Sequence, residues 1–159
     1  MTFRPNKTKV PGVFAFIAIL SFLGSEVAAD SSVLDANALN SAVQIGDIET
    51  ARTLLDSGVD VNERNKFGSF ALNAAAVEND IPLLRLLVER GANANAQSWS
   101  GDTALICATK YAGGKKDTVK LLLDAGTDVS LKDEDGKTAL DYAKEKKQAE
   151  ALALLEKSM

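Results

Sequence analysis

The 159-residue sequence predicts an all-α fold, a solenoid of stacked helix-turn-helix units joined by β-turn loops. Three observations predict it. A phrase recurs, "GDTALICA" from Gly101 and "GKTALDYA" from Gly136. Three separate markers share one period: Leu39, Leu72, Leu105 and Leu140; Gly58, Gly91 and Gly126; and Gly68, Gly101 and Gly136. Each series steps by 33 residues and closes on a step of 35. A fixed period of that size marks a repeat architecture. Finally, each unit holds two apolar-patterned segments of roughly eight to ten residues, which are marginal as isolated helices. Such a unit can bury its apolar face only on a neighbour.

The N-terminus reads as an address. Arg4, Lys7 and Lys9 form a basic stretch, "VFAFIAILSFL" from Val13 to Leu23 an apolar core, and Val27 and Ala29 a small-residue cleavage pattern. A membrane-spanning helix needs about 20 apolar residues. Residues 1–29 therefore read as a cleaved secretory signal. The alternative is a retained N-terminal anchor, which would make the chain a membrane-tethered scaffold. No cysteine follows Ala29 until Cys107, which argues against a lipoprotein.

Cleavage leaves residues 30–159 as one domain. It removes Arg4, Lys7, Lys9 and Glu26, taking the charged counts from 18 and 22 to 15 and 21, a net charge of −6. An acidic domain is a poor ligand for phosphate backbones, so neither nucleic acid nor, after cleavage, membrane is expected as a partner. Cys107 is the only cysteine, so no internal disulfide can form. No Asn-x-Ser/Thr sequon follows the signal. Together these predict a periplasmic or secreted protein of bacterial type, a monomer when free.

The units run over about 32–64, 65–97, 98–132 and 133–159. Each opens on a turn, after which Thr103 and Thr138 are placed to cap an Ala-rich first helix. Asp47 and Asp80 suit the N-cap of the second helix, and Pro82 falls in its first turn, where a missing N–H does little harm. Gly58, Gly91 and Gly126 supply the left-handed residue that ends it. Ala74, Ala75 and Ala76 predict close helix–helix approach. The third unit's two-residue surplus can be located. Gly46 to Gly58 and Gly114 to Gly126 are both twelve residues, whereas Leu39 to Gly46 is seven and Leu105 to Gly114 nine. The extra pair therefore lies within "KYAGG", Lys110 to Gly114. The end units read as caps: "NSAVQIGD" is polar-faced, and "AKEKKQAEALALLEK" keeps only Leu152, Leu154 and Leu155 inward.

The stretches "GSFALNAAA", "GDTALICAT" and "GKTALDYAK", with the exits "GVDVNER", "GANANAQ" and "GTDVSLK", resemble the ankyrin repeat. The resemblance covers about Ser32 to Lys157 as four repeats. It implies a turn and two antiparallel helices per unit, and a concave groove of turn tips and first helices that binds proteins. The family's first-helix phrase is Thr-Pro-Leu-His. Here Ala38, Ala71, Ala104 and Ala139 hold the proline position, Asn40, Asn73, Ile106 and Asp141 the histidine position, and Phe70 replaces the threonine of the second unit. The family's Thr–His hydrogen bond is thus absent, which predicts modest stability.

The sequence has no histidine, which removes Ser-His-Asp triads, Cys-His pairs and histidine-containing metal sites. Cys107 has no base nearby in sequence and reads as a core residue. "DEDG", Asp133 to Gly136, would need a carboxylate at Leu131 and a Glu at Tyr142 to be a calcium loop, so it reads as a charged, solvated turn tip. "KYAGGKK" lacks the Gly-Lys-Ser/Thr of a phosphate loop and reads as an elongated turn. No metal, cofactor or catalytic residue is expected. The rival from another class is a hydrolase or metal enzyme that uses carboxylates alone.

The aromatic residues point to binding. Phe67 and Trp99 fall just before Gly68 and Gly101 at turn tips, and Tyr111 at the exposed end of a first helix. By the resemblance these positions line the groove, and Trp and Tyr are frequent interface anchors. The candidate partner site is Phe67, Trp99 and Tyr111, with Lys66, Ser69, Val77, Glu78, Ser100, Asp102, Lys110, Glu134 and Lys137 beside them on the same surface. The competing reading is that tip aromatics pack on a neighbouring turn and brace the stack. Exported bacterial ankyrin proteins of this size imply two roles: supporting an envelope enzyme such as catalase, or acting as an immunity protein against a periplasm-directed toxin.

Overall fold

The computed structural model describes residues 31–159; the signal pattern read in residues 1–29 lies outside them. Eight helices and no strand occur among the described residues. They are α1 Ser31–Gln44, α2 Ile48–Asp56, α3 Ala71–Glu78, α4 Ile81–Glu89, α5 Ala104–Lys110, α6 Lys116–Asp124, α7 Ala139–Glu145 and α8 Ala149–Lys157. None is long and apolar enough to cross a membrane.

The helices pair within units and stack between them. The inner row is α1, α3, α5 and α7, and the outer row α2, α4, α6 and α8. Neighbours in the inner row pack more closely than those in the outer row. The side chains explain this. Ala71, Ala75, Ala76, Ala104, Ala108, Ala139 and Ala143 are buried, and a methyl group keeps little distance between backbones. The outer helices instead bring Leu83, Leu84, Leu86, Leu87 and Leu122 into the core. A short inner row and a longer outer row curve the stack, with the turn tips and inner helices on the hollow side.

The leucine register is the core's seam. Leu39, Leu72 and Leu105 are all almost fully buried in equivalent places, whereas Leu140 is half-buried because α7 and α8 are the last pair. In α8 the inward residues differ in part from the sequence reading. Ala151 and Leu155, four apart and thus on one face, are buried, while Leu152 and Leu154 are only half-buried.

The starts of α2, α4, α5 and α7 carry side-chain caps. Asp47 accepts from the Thr50 amide (3.0 Å) and Asp80 from the Leu83 amide (2.9 Å). Thr103 accepts from the Ile106 amide (3.2 Å). Phe70, at the equivalent place in the second unit, offers no side-chain cap. The fourth unit has a reciprocal cap: the Asp141 amide donates to Thr138 Oγ1 (3.3 Å), and the Thr138 amide to Asp141 Oδ2 (2.9 Å). Thr138 Oγ1 also donates to that carboxylate (2.9 Å). Aspartate thus restores, by a different route, the threonine bond lost with the histidine. Asn73 compensates in another way, its buried Nδ2 donating to the Asp102 carbonyl of the next unit at 2.9 Å.

Polar ladders join the loops. Asn62 accepts from the Asn93 amide (2.7 Å) and donates to the Gly91 carbonyl (3.0 Å). One unit on, Asn95 accepts from the Asp128 amide (2.6 Å) and donates to the Gly126 carbonyl (3.3 Å). The surplus residues widen the α5–α6 connection to residues 111–115, and the neighbouring loops hold it. Asn79 Nδ2 donates to the Ala112 carbonyl (3.3 Å), Gln148 Nε2 to that of Thr109 (2.8 Å), and Lys146 Nζ to that of Lys110.

Candidate functional site

Three turn tips project along the hollow side, built alike from different residues. Asn65, Ser98 and Asp133 each open a turn whose fourth residue is Gly68, Gly101 or Gly136, with i→i+3 backbone bonds of 2.9, 3.0 and 2.9 Å. In each, the first side chain ties down the loop it begins. Asn65 Oδ1 accepts from the Phe67 and Ser69 amides at 3.0 Å. Ser98 Oγ accepts from the Asp102 amide (3.2 Å), and Asp133 Oδ1 from the Asp135 and Lys137 amides (3.0 Å). The tips also bond to one another: the Trp99 amide donates to the Gly68 carbonyl (3.2 Å) and the Glu134 amide to that of Ser100 (3.0 Å). The row is therefore rigid in its backbone and fixed in register.

Phe67, Trp99 and Tyr111 keep 71%, 65% and 57% of their surface exposed. Trp99 is also braced. A Cβ built on Gly68 would lie 2.1 Å from Trp99 Cδ2, so the indole rests directly on that glycine. Trp99 thus packs one face on the preceding tip, as the bracing reading expects, and leaves much of its surface open. The Lys66 ammonium sits 5.0 Å from the Phe67 ring centroid, within cation–π range. Lys66, Glu78, Ser100 and Glu134 are exposed, and Ser69 and Val77 half-buried. Cys107 is buried in the core. Burial first, and then the Asp102 charge, pushes its thiol up to about 12, which favours the thiol over the thiolate.

Two candidate residues do not belong to the open surface. Asp102 is buried, and Lys110 crosses from α5 into a cluster formed with the last unit. The Lys110 ammonium lies 3.2 Å from Asp102 Oδ1 and 3.0 Å from Asp133 Oδ2. The Tyr142 hydroxyl donates to the same Asp133 oxygen at 2.5 Å, and the Lys110 ammonium stands 5.1 Å from the Tyr142 ring centroid. Burial works against charge on Lys110, but its bonds to Asp133, Tyr142 and Asp102 outweigh that and hold the ammonium well above the ordinary lysine value. Burial likewise disfavours charge on Asp133, yet the bonds from Tyr142, Lys110 and the Lys137 amide hold it below the usual carboxylate range. Tyr142 is pushed up to about 12, by burial first and then by its bond to Asp133. Lys137 is half-buried and occupied by Glu145 at 2.6 Å.

This cluster corrects the reading of "DEDG" as a solvated tip. Asp135 is solvated, but Asp133 is buried and is the hub of the junction. Its counterparts Asn65 and Ser98 gave the available signal: all three positions need a side-chain acceptor. With Tyr142 and Lys110 filling the fourth unit's end of the groove, the open part lies over the second and third units. In those units Ala74 and Val77 are half-buried against the core, and Phe67, Trp99 and Tyr111 are exposed. Among the described residues no three metal-ligating side chains converge.

Paired helices, tips in register and a hollow face of this kind define a helical-repeat solenoid. The chain matches the family model of ankyrin repeats (three copies) over residues 39–133 and again over 100–158, and it belongs to that family. A search of curated proteins found no match.

Proposed function

We propose that this chain is a non-enzymatic protein-binding module, exported to the periplasm, that holds a protein partner in the open part of its groove. The observation that carries this is the trio of large exposed side chains, Phe67 and Trp99 on hydrogen-bonded tips and Tyr111 at the end of α5. Membership of the ankyrin repeat family supports a protein as the partner. Export rests on the signal pattern of residues 1–29.

The test is Trp99→Ala combined with Tyr111→Ala. Removing two interface anchors should raise Kd for the native partner at least about 100-fold. The folded domain should lose only about 1–2 kcal/mol of stability, mostly the packing of Trp99 on Gly68, because both side chains are largely exposed. Capture undiminished by the double substitution, with helical circular dichroism intact, would remove the site from the groove. Within this class we propose support of an envelope enzyme such as catalase, with neutralisation of a periplasm-directed toxin as the rival. A deletion strain sensitised to peroxide supports the first, and one killed by a toxin encoded beside the gene supports the second.

A further inference from the structure

We propose that the row of turn tips selects an extended peptide segment ordered acidic, apolar, basic, an inference that rests on the groove reading above. The first tip carries Lys66 and Phe67, the second Trp99 and Ser100, and the third Glu134 and Asp135. Lys66, Trp99 and Glu134 occupy the same place in successive tips, two residues before Gly68, Gly101 and Gly136. The inter-tip backbone bonds hold them in one row. The row therefore runs from a cation, across two aromatic rings, to a pair of carboxylates.

The neighbouring charges show which of these are free to act. Arg64 donates to the Gln97 carbonyl (2.9 Å) and lies 5.2 Å from the Phe70 ring centroid, which fixes its position while leaving its charge without a carboxylate partner. Lys137 is taken by Glu145, and Lys110 by Asp102 and Asp133. Asp135 lies 4.0 Å from Lys110 but stays 69% exposed in its side chain. Among the described residues neither Lys66 nor Glu134 has an ion-pair partner. The first end of the row thus presents cations without a carboxylate partner, Lys66 and beside it Arg64, and the far end presents the unpaired Glu134 carboxylate. A ligand of uniform charge meets repulsion at one end, and a ligand with opposite ends meets none.

The geometry sets the length. Packed helices sit about 8–10 Å apart, so two repeat steps separate the outer tips by roughly 20 Å. An extended chain rises about 3.3 Å per residue, so about six residues span the row. The aromatic centre demands apolar side chains in the middle of that span.

Trp99 is the only tryptophan, so its fluorescence reports directly on the row. The probes are three short synthetic peptides with blocked termini and a common Phe-Leu centre: one acidic at one end and basic at the other, one acidic at both ends, one basic at both. The mixed peptide should bind about three- to tenfold tighter than either of the others, from two exposed charge pairs. That preference should vanish at about 1 M salt. Lys66→Glu should transfer the preference to the peptide basic at both ends. Equal affinities for all three would overturn the charge selection and leave the aromatic site standing. No Trp99 response to any peptide would likewise overturn it, and the groove reading would then be judged by native-partner capture alone.

Discussion

Lys110→Met is expected to destabilise the fold by about 2–3 kcal/mol, read as a lower urea midpoint with an unchanged slope. The substitution keeps an unbranched apolar stem but removes the cation that Asp102 and Asp133 share at 3.2 and 3.0 Å. Both carboxylates are buried, so each is left with charge that water cannot solvate. The value sits at or below the low end for buried pairs because Lys110 keeps 18% of its side-chain surface exposed. The pH dependence separates this mechanism from simple loss of packing. In the native chain Asp133 is held below its ordinary carboxylate value. Its contribution is therefore present above the unfolded value of about 3.9 and is lost as pH falls through the lower folded one. Without Lys110 the buried Asp133 carboxylate loses a bond that offsets its burial, so protonation in the folded state becomes more favourable. The variant should then lose less than the native chain on acidification, and the gap between them should narrow towards pH 4. Parallel curves would show that the cluster does not act through charge.

Gly101→Ala should cost about 2–3 kcal/mol, the combined effect of left-handed backbone and a steric overlap. Gly101 has φ +76°, and an added Cβ would stand 2.9 Å from the Asp133 Cα. That neighbour is backbone and cannot swing aside as a side-chain tip could. Relief requires the second and third tips to separate, which strains the Glu134–Ser100 backbone bond and the cluster centred on Asp133. Gly136→Ala is the control. Its φ is +72°, but nothing lies within 4 Å of the added Cβ, so only the conformational penalty of about 1 kcal/mol remains. Equal losses from the two substitutions, measured by thermal unfolding, would mean that the tips are not in close contact.

The solenoid was legible because its markers are local and periodic. Leu72 and Leu105 face the same surroundings for the same reason, and the glycine and threonine stops follow rules that act within a few residues. Phe67, Trp99 and Tyr111 were legible as exposed because they fall outside the leucine register. The ion cluster was not. Register places the Cβ of Lys110 on the groove face, but its long stem carries the ammonium to Asp133, 23 residues on in the next unit. A pair between units need not recur, so no period announces it. The replacement of the family's histidine was also illegible in detail. Asp141 works within its own unit and Asn73 across to the next, and that choice depends on what the following turn presents.

Amide hydrogen exchange, recorded with and without a captured protein partner, tests the binding reading most directly. Slowed exchange at the tips around Phe67 and Trp99 and at the end of α5 near Tyr111, with α4 and α6 unchanged on the outer row, is the expected pattern. Slowed exchange confined to α4 and α6 would place the partner on the opposite face and contradict it.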